Sequence, residues 1–475
     1  MPENGRVSDE LHYLTIEALA PMIERRDISP VEVTEHMLRR IERLDGRLKS
    51  YATVTGDLAM DQARQAEAEI AGGAYRGKLH GVPVAVKDLC YTTGIRTMGG
   101  LKVLADFVPD FDATVVRKFS EAGAVLLGKL NLTEGAMAGY NPAFDVPENP
   151  WAPGHWSGAS SSGSGAATAA GMAFATLGSD TGGSIRHPAA VCGTVGLKPT
   201  YGRVSRHGVL DLGQTLDHVG PLTRSAFDAG LVTQAIAGAD PDDPTALVDP
   251  VPDMLAGIGE GLKGLRVGWD QVYASQDMEP DFAAGVAAAL DVLVQLGAEV
   301  VEVQMPARLR DYMAAWQVLC SAEAADAHRA HYPSRAGDYG AWFGGWLERG
   351  NGFSAMDYAN ANILRGQCNG EMRKVMQDID FLVCPSTPRA AYPVPASVSY
   401  GPIPADRDPW TSRFTVPMDY SGQPTISLPC GLSANGLPLS VQFVGHHLSE
   451  PLLVRAGAAY EQATDWHNLH PPGWD

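Results

Sequence analysis

Two Gly/Ser-rich segments of the chain contain the residue types that nucleophilic catalysis by a serine requires. The first is Gly158-Ala-Ser-Ser-Ser-Gly-Ser164 and the second is Gly178-Ser-Asp-Thr-Gly-Gly-Ser-Ile-Arg186. Backbone N–H groups in a Gly-rich turn can converge on an oxyanion, and a serine at the end of that turn would place its hydroxyl beside it. Such segments are also typical of flexible linkers. The stretches between these two segments are short and apolar, however, which favours packed loops.

A lysine completes this set of residues. Lys87 ends the apolar run Gly81-Val-Pro-Val-Ala-Val-Lys-Asp88. Lysines in such positions commonly extend to solvent, but a buried amine has a lowered pKa and can act as a base. If the strand continues, Asp88 points to the opposite face and gives Lys87 no carboxylate partner. One lysine and two Gly/Ser loops together indicate a Ser–Lys nucleophilic system.

Other catalytic and metal-binding motifs are absent or incomplete. Residues 123–129 resemble a phosphate-binding loop, but Leu130 stands where that loop has Ser or Thr, and its middle is apolar. The sequence has no Gly-x-Ser-x-Gly elbow and no Ser-x-x-Lys pair. His446 and His447 have no further ligand at metal-binding spacing, so no metal site is predicted.

The elements that must position these residues begin with helices. Ser29, Pro30 and Glu32 occupy the N-cap, N1 and N3 positions of a capping box. A second helix is predicted over residues 56–70, ending at Gly72. Five apolar residues at a spacing of three to four predict the buried face of the first helix: Val33, Met37, Ile41, Leu44 and Leu48.

Strands and helices then alternate along the chain. Apolar runs at residues 82–86 and 124–127 predict buried strands, with a helix over 114–122 between them. This alternation favours βα units and an α/β fold with a mixed, largely parallel central sheet flanked by helices. Further predicted elements are a small-residue helix at 166–171, strands at 174–177, 425–429 and 439–444, a Gly/Ser loop at 178–184 and a surface loop at 241–252.

Length, charge and cysteine content restrict the class of protein. The 475 residues show no internal repeat and no clear domain boundary, and their formal charge of −19 makes nucleic acid an unlikely partner. No run of eighteen apolar residues occurs and residues 1–10 are polar, so neither a membrane span nor a secretory signal is expected. Six cysteines without a Cys-x-x-Cys pair predict buried free thiols. These features predict a cytoplasmic protein.

The two segments and the lysine, in this order, resemble the amidase signature family, whose members hydrolyse amides with a Ser–cis-Ser–Lys triad. Ser160 and Ser184 are 24 residues apart, as in the family. Ala159 and Ser162 differ from the family pattern, which has glycine at both places. The resemblance covers nearly the whole chain and is weakest over residues 250–400. It continues through residues 192–200, 201–205, 216–221, 424–431 and 460–464.

The resemblance implies a role for each matching residue. Ser184 would attack the carbonyl and form an acyl-enzyme, Ser160 would relay the proton after a cis peptide bond, and Lys87 would be the terminal base. The N–H groups of Thr181, Gly182, Gly183 and Ser184 would form the oxyanion hole. No metal or other cofactor is implied. The implied domain spans residues 1–475, with a signature core at about 80–225 and a variable substrate-shaping region at about 250–400.

Several other residues have open or minor roles at this level. Met137 and Tyr140 belong to a stretch that matches a cleft-lining family loop, but they could equally be core residues. Asp180 and Arg186 are expected to brace the catalytic turn, although Arg186 could also bind a substrate carboxylate. Lys198 is expected to be structural. Three aromatic residues, Trp342, Phe343 and Trp346, fit either an exposed lid or ordinary packing.

The function implied is hydrolysis of small-molecule carboxylic amides, with anilides, esters and aryl carbamates as further substrates, by a monomer or homodimer. An uncharged, apolar acyl side is expected because residues 135–140 carry no charge and the aromatic segment at 339–347 lies near no cationic run. The alternative is the subunit of a tRNA-dependent amidotransferase that shares this triad and passes ammonia to a partner; its motif has glutamine where this chain has His187. A non-enzymatic binding protein on the same scaffold is the other alternative.

Overall fold

The computed structural model of the protein describes residues 11–474. The strands are β1 (Tyr51–Val54), β2 (Pro83–Lys87), β3 (Val125–Leu130), β4 (Ala175–Asp180), β5 (Val195–Lys198), β6 (His218–Thr223), β7 (Arg266–Trp269), β8 (Glu299–Glu302), β9 (Phe381–Pro385), β10 (Thr425–Leu432) and β11 (Pro438–Gly445).

The α-helices of this part of the chain are α1 (Ile16–Glu24), α2 (Pro30–Leu48), α3 (Gly56–Ala71), α4 (Thr114–Glu121), α5 (Ser162–Ala169), α6 (Arg186–Cys192), α7 (Ala226–Ile236), α8 (Gln271–Ser275), α9 (Pro280–Gln295), α10 (Leu309–Ala327), α11 (Ala341–Asn351), α12 (Ala355–Val375), α13 (Ala396–Ser399), α14 (Val416–Ser421) and α15 (Glu450–Gln462). Short 3₁₀ helices cover Leu11–Tyr13, Lys102–Leu104, Glu134–Ala136, Ala336–Asp338, Pro409–Ser412 and Trp466–Asn468.

The eleven strands of residues 11–474 form one mixed sheet in the order β1-β3-β2-β4-β6-β5-β10-β11-β9-β7-β8. Four pairings are parallel, within β3-β2-β4 and within β9-β7-β8. The other six are antiparallel. The single-domain mixed α/β fold is confirmed, but parallel pairing is the minority. The expectation of a largely parallel sheet came from the βα alternation of the first strands. The centre of the sheet is instead antiparallel and contains the β10–β11 hairpin.

The predicted helical face of α2 is confirmed. The Ser29 hydroxyl and the Glu32 carboxylate form the reciprocal capping box, and the five apolar residues of the predicted face are all buried. This face packs on α3, β2 and β3 in one large apolar cluster. A second cluster lies where α9 and α15 pack on β10 and β11. Helices therefore cover the sheet and bury the strands that carry the catalytic candidates.

The two Gly/Ser segments are more regular than the sequence suggests. Helix α5 begins at Ser162 rather than 166, and β4 continues to Asp180 rather than ending at 177. Their glycines allow backbones to approach closely. A Cβ on Gly163 would lie 2.4 Å from the Ser50 carbonyl oxygen, and one on Gly178 would lie 2.8 Å from Ser161 Oγ. Composition typical of a loop here reflects tight packing of regular elements.

All six cysteines are buried and unpaired, as predicted. None of the helices in residues 11–474 combines the length and the apolar character that a membrane span requires.

Candidate active site

The parallel pairing of β2 with β4 brings the predicted lysine to the second Gly/Ser segment. Val86 pairs with Leu177, so Lys87 at the end of β2 lies beside the last residues of β4. Its amine donates to Ser160 Oγ at 2.6 Å and to Ser179 Oγ at 2.9 Å. Lys87 is thus a buried lysine in contact with two serine hydroxyls and does not extend to solvent.

Burial lowers the pKa of Lys87 to about 7, against the opposing effect of the more distant charges of Asp180, Cys90 and Asp217. Asp88 does not neutralise it, because that carboxylate accepts from the Met98 amide at 3.0 Å and lies 3.6 Å from Lys129. Near neutral pH a large fraction of Lys87 is therefore an uncharged amine that can accept a proton.

The loop that carries Ser160 is shaped by its neighbours in the chain. The peptide bond between Ala159 and Ser160 is cis, as the family resemblance implies. Gly158 has a φ of +85°, and a Cβ there would lie 2.3 Å from Pro188 Cα, so glycine is required at this point. The amide of Ser161 donates to the Ser184 carbonyl at 3.3 Å. This bond joins the Ser160 loop directly to the turn that carries Ser184.

That turn, residues 180–184, is held by Asp180. The Asp180 carboxylate accepts from the amides of Gly183 at 2.5 Å and Ile185 at 2.9 Å. The amides of Thr181, Gly182 and Ser184 donate to no acceptor within the described residues. Of the four predicted oxyanion donors, the Gly183 amide is therefore already engaged, and three remain available.

Arg186 holds this turn in place through its contacts with two buried aspartates. Its guanidinium contacts both Asp180 and Asp419, and it donates to the Thr415 carbonyl at 3.0 Å. Burial alone would raise the pKa of Asp180, but the charge and hydrogen bonds of Arg186 hold it below its usual range. Arg186 is fully buried. The geometry fits the predicted bracing role and leaves Arg186 no access to a substrate carboxylate.

Two residues that hold Thr181 were not among the predicted site residues. Thr181 Oγ1 donates to Asp217 at 2.5 Å, and the indole of Trp316 donates to the Thr181 carbonyl at 2.8 Å. Asp217 lies in the motif at 216–221, which could have marked it. Trp316 lies on α10, within residues 250–400, and had no local signal. Ser179, the second hydroxyl on Lys87, lay inside the quoted motif without a role.

The surroundings of Lys198, which is predicted to be structural, and of His187 follow from their contacts. Lys198 is buried and donates to the Gln423 carbonyl at 2.7 Å, so its position fits the predicted structural role. Burial lowers the pKa of His187 to about 4, which leaves the ring neutral at pH 7. A Cβ on Gly183 would lie 2.5 Å from that ring, so His187 packs directly on the catalytic turn.

A cavity of about 570 Å³ opens beside Ser184, which lies on its wall together with Met137, Tyr140 and Trp342. Met137 and Tyr140 are mostly buried, and the Tyr140 hydroxyl donates to Ser162 Oγ at 2.9 Å. Both line the cavity, while Phe343 and Trp346 are fully buried core residues. The aromatic segment is therefore divided between the cavity wall and the core, and it does not form an exposed lid.

Among residues 11–474, no group of three or more His, Cys, Asp or Glu side chains is placed to hold a metal ion. The chemistry available at the site is that of the serine hydroxyls, the buried amine and the free backbone amides. Such a set suits nucleophilic attack on a carbonyl with stabilisation of the resulting oxyanion.

Comparisons with known proteins agree with this chemistry. The family model described as Amidase matches residues 32–454. The chain is 44% identical over 474 residues to a Mycobacterium tuberculosis protein named as a candidate amidase, AmiD, covering 98% of this chain and 97% of that protein. It is 38% identical to a glutamyl-tRNA(Gln) amidotransferase subunit of Moorella thermoacetica, covering 97% of this chain and 99% of that protein.

Solved structures show the same fold. A bacterial aryl acylamidase of the amidase signature family superposes with a TM-score of 0.87 and 26% identity, covering 97% of this chain and 98% of that chain. Sequence and fold thus agree over nearly the whole length. The chain is an amidase of the amidase signature family.

Proposed function

We propose that the protein hydrolyses small-molecule amides through an acyl-enzyme on Ser184, with Ser160 and Lys87 as the proton relay. The observation that carries this proposal is the buried Lys87 amine, 2.6 Å from Ser160 Oγ and without a carboxylate partner. An amine in this setting serves as a base and needs neither histidine nor metal.

The relay accounts for each proton in the reaction. As Ser184 Oγ attacks the carbonyl carbon, its proton passes to Ser160 Oγ, whose own proton passes to neutral Lys87. When the C–N bond breaks, the leaving amine takes that proton back through Ser160. Water then attacks the acyl-enzyme by the same relay, which releases the carboxylic acid and restores Ser184.

The backbone of the turn supplies the electrostatic part of the mechanism. The amides of Thr181, Gly182 and Ser184 are free to donate to the oxyanion of the tetrahedral intermediate. Because that intermediate is similar for amides, anilides, esters and aryl carbamates, we infer that all four classes are accepted. The fold shared with a bacterial aryl acylamidase supports the inclusion of anilides.

The second candidate function is that of a subunit of a tRNA-dependent amidotransferase. The 38% identity to such a protein favours it. In that function the chain would release ammonia for use by a partner protein. His187 stands where that motif has glutamine and packs on the catalytic turn, which weighs against this function. Hydrolysis of anilides by the isolated chain, with no partner protein recovered on affinity purification, would favour the independent amidase.

Covalent labelling tests the proposed function directly. Phenylmethylsulfonyl fluoride should inactivate the enzyme with one adduct, located by peptide mass spectrometry on Ser184. Ser184→Ala should lose at least ~10³-fold in kcat and take up no label. Ser120→Ala, at an exposed position on α4, is the matched control and should behave as wild type. An adduct on another serine, or anilide turnover retained in Ser184→Ala, would refute the proposal.

A further inference from the structure

Two of the arginines on the cavity wall lie beside its aromatic rings and have no carboxylate partner within the described residues. Arg407 lies in the loop between α13 and α14, with its guanidinium 5.8 Å from the centre of the Trp342 ring. Arg389 follows β9, with its guanidinium 4.6 Å from the centre of the Tyr392 ring. Within the described residues neither guanidinium forms an ion pair or donates a hydrogen bond.

The carboxylates on the same cavity wall are already engaged elsewhere. Asp145 pairs with Lys49 at 3.7 Å, and Glu148 accepts from the Gly154 amide at 2.5 Å. The cavity wall therefore carries arginines whose charge no carboxylate of the described chain neutralises: the partly buried Arg407 and the exposed Arg389 and Arg47. Arg407 lies beside Trp342, so the aromatic segment at 339–347 does have a cation next to it. The expectation of a neutral substrate depended in part on the absence of such a cation.

Arg407 also acts electrostatically on a residue that packs on the Ser184 turn. His187, three residues after Ser184, has its pKa lowered by burial, and the charges of Arg186 and Arg407 add to that effect. The charges of Arg389 and Arg407 both act on the Tyr392 phenol. Both guanidinium groups therefore act on Tyr392, and the charge of Arg407 also reaches His187 beside the turn.

An arginine in this setting favours an anion. Burial lowers the pKa of Arg407, but a guanidinium stays charged at neutral pH, so its lost hydration is not offset within the free protein. A carboxylate restores that loss through two parallel N–H···O bonds. The protein's net charge of −19 acts against anions at long range, but salt screens it beyond about 8 Å, whereas the cavity arginines act at contact.

We infer that Arg407, assisted by Arg389, binds a carboxylate carried by the substrate, so that the preferred substrates are amides with a free carboxylate. This inference rests on the proposed amide hydrolysis at Ser184. It replaces the sequence-based expectation of an uncharged substrate. Arg407 acts as a specificity-determining residue, and the carboxylate that Arg186 is too buried to reach is bound here instead.

Matched substrates test the inference. N-phenylsuccinamate carries a carboxylate on the acyl side, and 4-methylpentananilide is its neutral isostere. The butanoyl amides of 4-aminobenzoate and of 4-isopropylaniline form the same comparison on the amine side. For at least one pair, wild type should prefer the carboxylate by about 10- to 100-fold in kcat/KM. Arg407→Gln should abolish that preference by lowering kcat/KM for the carboxylate substrate about 10- to 100-fold more than for its neutral counterpart.

Arg310→Gln is the matched control, because Arg310 touches the same loop through Asp408 and Trp410 yet lies outside the cavity. It should keep the wild-type preference. Equal kcat/KM values within both pairs, or a preference that survives in Arg407→Gln, would overturn the inference.

A binding measurement separates this inference from the proposed function. In Ser184→Ala, calorimetry should show that the carboxylate member of at least one pair binds more tightly than its neutral counterpart, and adding Arg407→Gln should remove the difference. If wild type hydrolyses no amide while this difference persists, the proposed function fails and the anion site stands. If amides are hydrolysed through Ser184 but both the kinetic and the binding preferences are absent, only the carboxylate inference fails.

Discussion

The ring of Trp316 occupies the place that a side chain on Gly182 would need. A Cβ built on Gly182 would lie 2.5 Å from Trp316 Cζ2, well inside van der Waals contact. The same indole donates to the Thr181 carbonyl. One tryptophan of α10 thus fixes both the position of the turn and the size of the residue at its centre.

Gly182→Ala should therefore impair catalysis more than folding. The added methyl group must displace either Trp316 or the turn, which moves the amides away from the oxyanion, so kcat should fall by ~10²-fold. Gly366→Ala, on α12 with no atom within 4 Å of the new Cβ, is the control and should leave kcat unchanged. Full activity of Gly182→Ala in a steady-state anilide assay would show that the turn tolerates the displacement.

Arg186→Gln should destabilise the protein strongly. Removal of the guanidinium leaves Asp180 and Asp419 buried without their countercharge, a change that costs about 3–5 kcal/mol in the free energy of unfolding. Urea denaturation measures this loss. The comparison variant Arg117→Gln breaks an exposed pair with Glu121 and should change the free energy by less than about 1 kcal/mol. Similar losses in the two variants would contradict the bracing role.

Activity should rise with pH through the titration of Lys87. The relay needs the neutral amine, so kcat/KM should fall about tenfold per pH unit below a midpoint near 7 and level off above it. Asp217, whose pKa burial raises to about 7, would titrate in the same range. Amine ionisation absorbs much more heat than carboxyl ionisation, so only a lysine midpoint should move markedly with temperature.

Lys87→Arg provides the second check on this assignment. Its guanidinium keeps the positive charge but cannot act as a base near neutral pH, so the variant should be inactive at every pH tested. A pH midpoint that does not move with temperature, or activity in Lys87→Arg, would assign the base to another group.

Ser179→Ala should separate positioning of the lysine from substrate binding. Ser179 Oγ accepts from the Lys87 amine at 2.9 Å but does not line the cavity. Its loss removes a bond that favours the charged amine, so the pH midpoint should move down, with kcat reduced by ~10-fold and KM retained. A purely structural role for Ser179 would lower stability without moving the midpoint of the pH profile.

The features that the sequence predicted are those with a local signature. The capping box of α2 depends on residues three positions apart, and Lys87 and Ser160 were found because short motifs and their order mark them. The boundaries of α5 and β4 were wrong because glycine and serine in regular, close-packed elements look like loops in the sequence. Nothing in residues 425–444 alone indicates that their hairpin separates the two parallel parts of the sheet.

The features that could not be predicted depend on contacts between distant segments. Three residues that contact the catalytic turn or line its cavity lie more than 100 residues from it in the sequence: Trp316, Trp342 and Arg407. None of them belongs to a recognisable motif in its own segment. Arg407 in particular has the sequence context of a surface loop. Its lack of a carboxylate partner becomes visible only when the whole cavity wall is assembled.

Because all six thiols are buried, their reaction with a reagent in solution measures how often the protein interior becomes exposed to solvent. Burial raises the pKa of Cys90 to about 11 and that of Cys368 to about 12, so the native thiols are both shielded and protonated at neutral pH. A disulfide-exchange reagent can then react only with molecules whose interior has become exposed. The rate at which the cysteines react therefore measures how often the interior becomes exposed. Activity that is lost before the cysteines react indicates a chemical change at the active site and not unfolding.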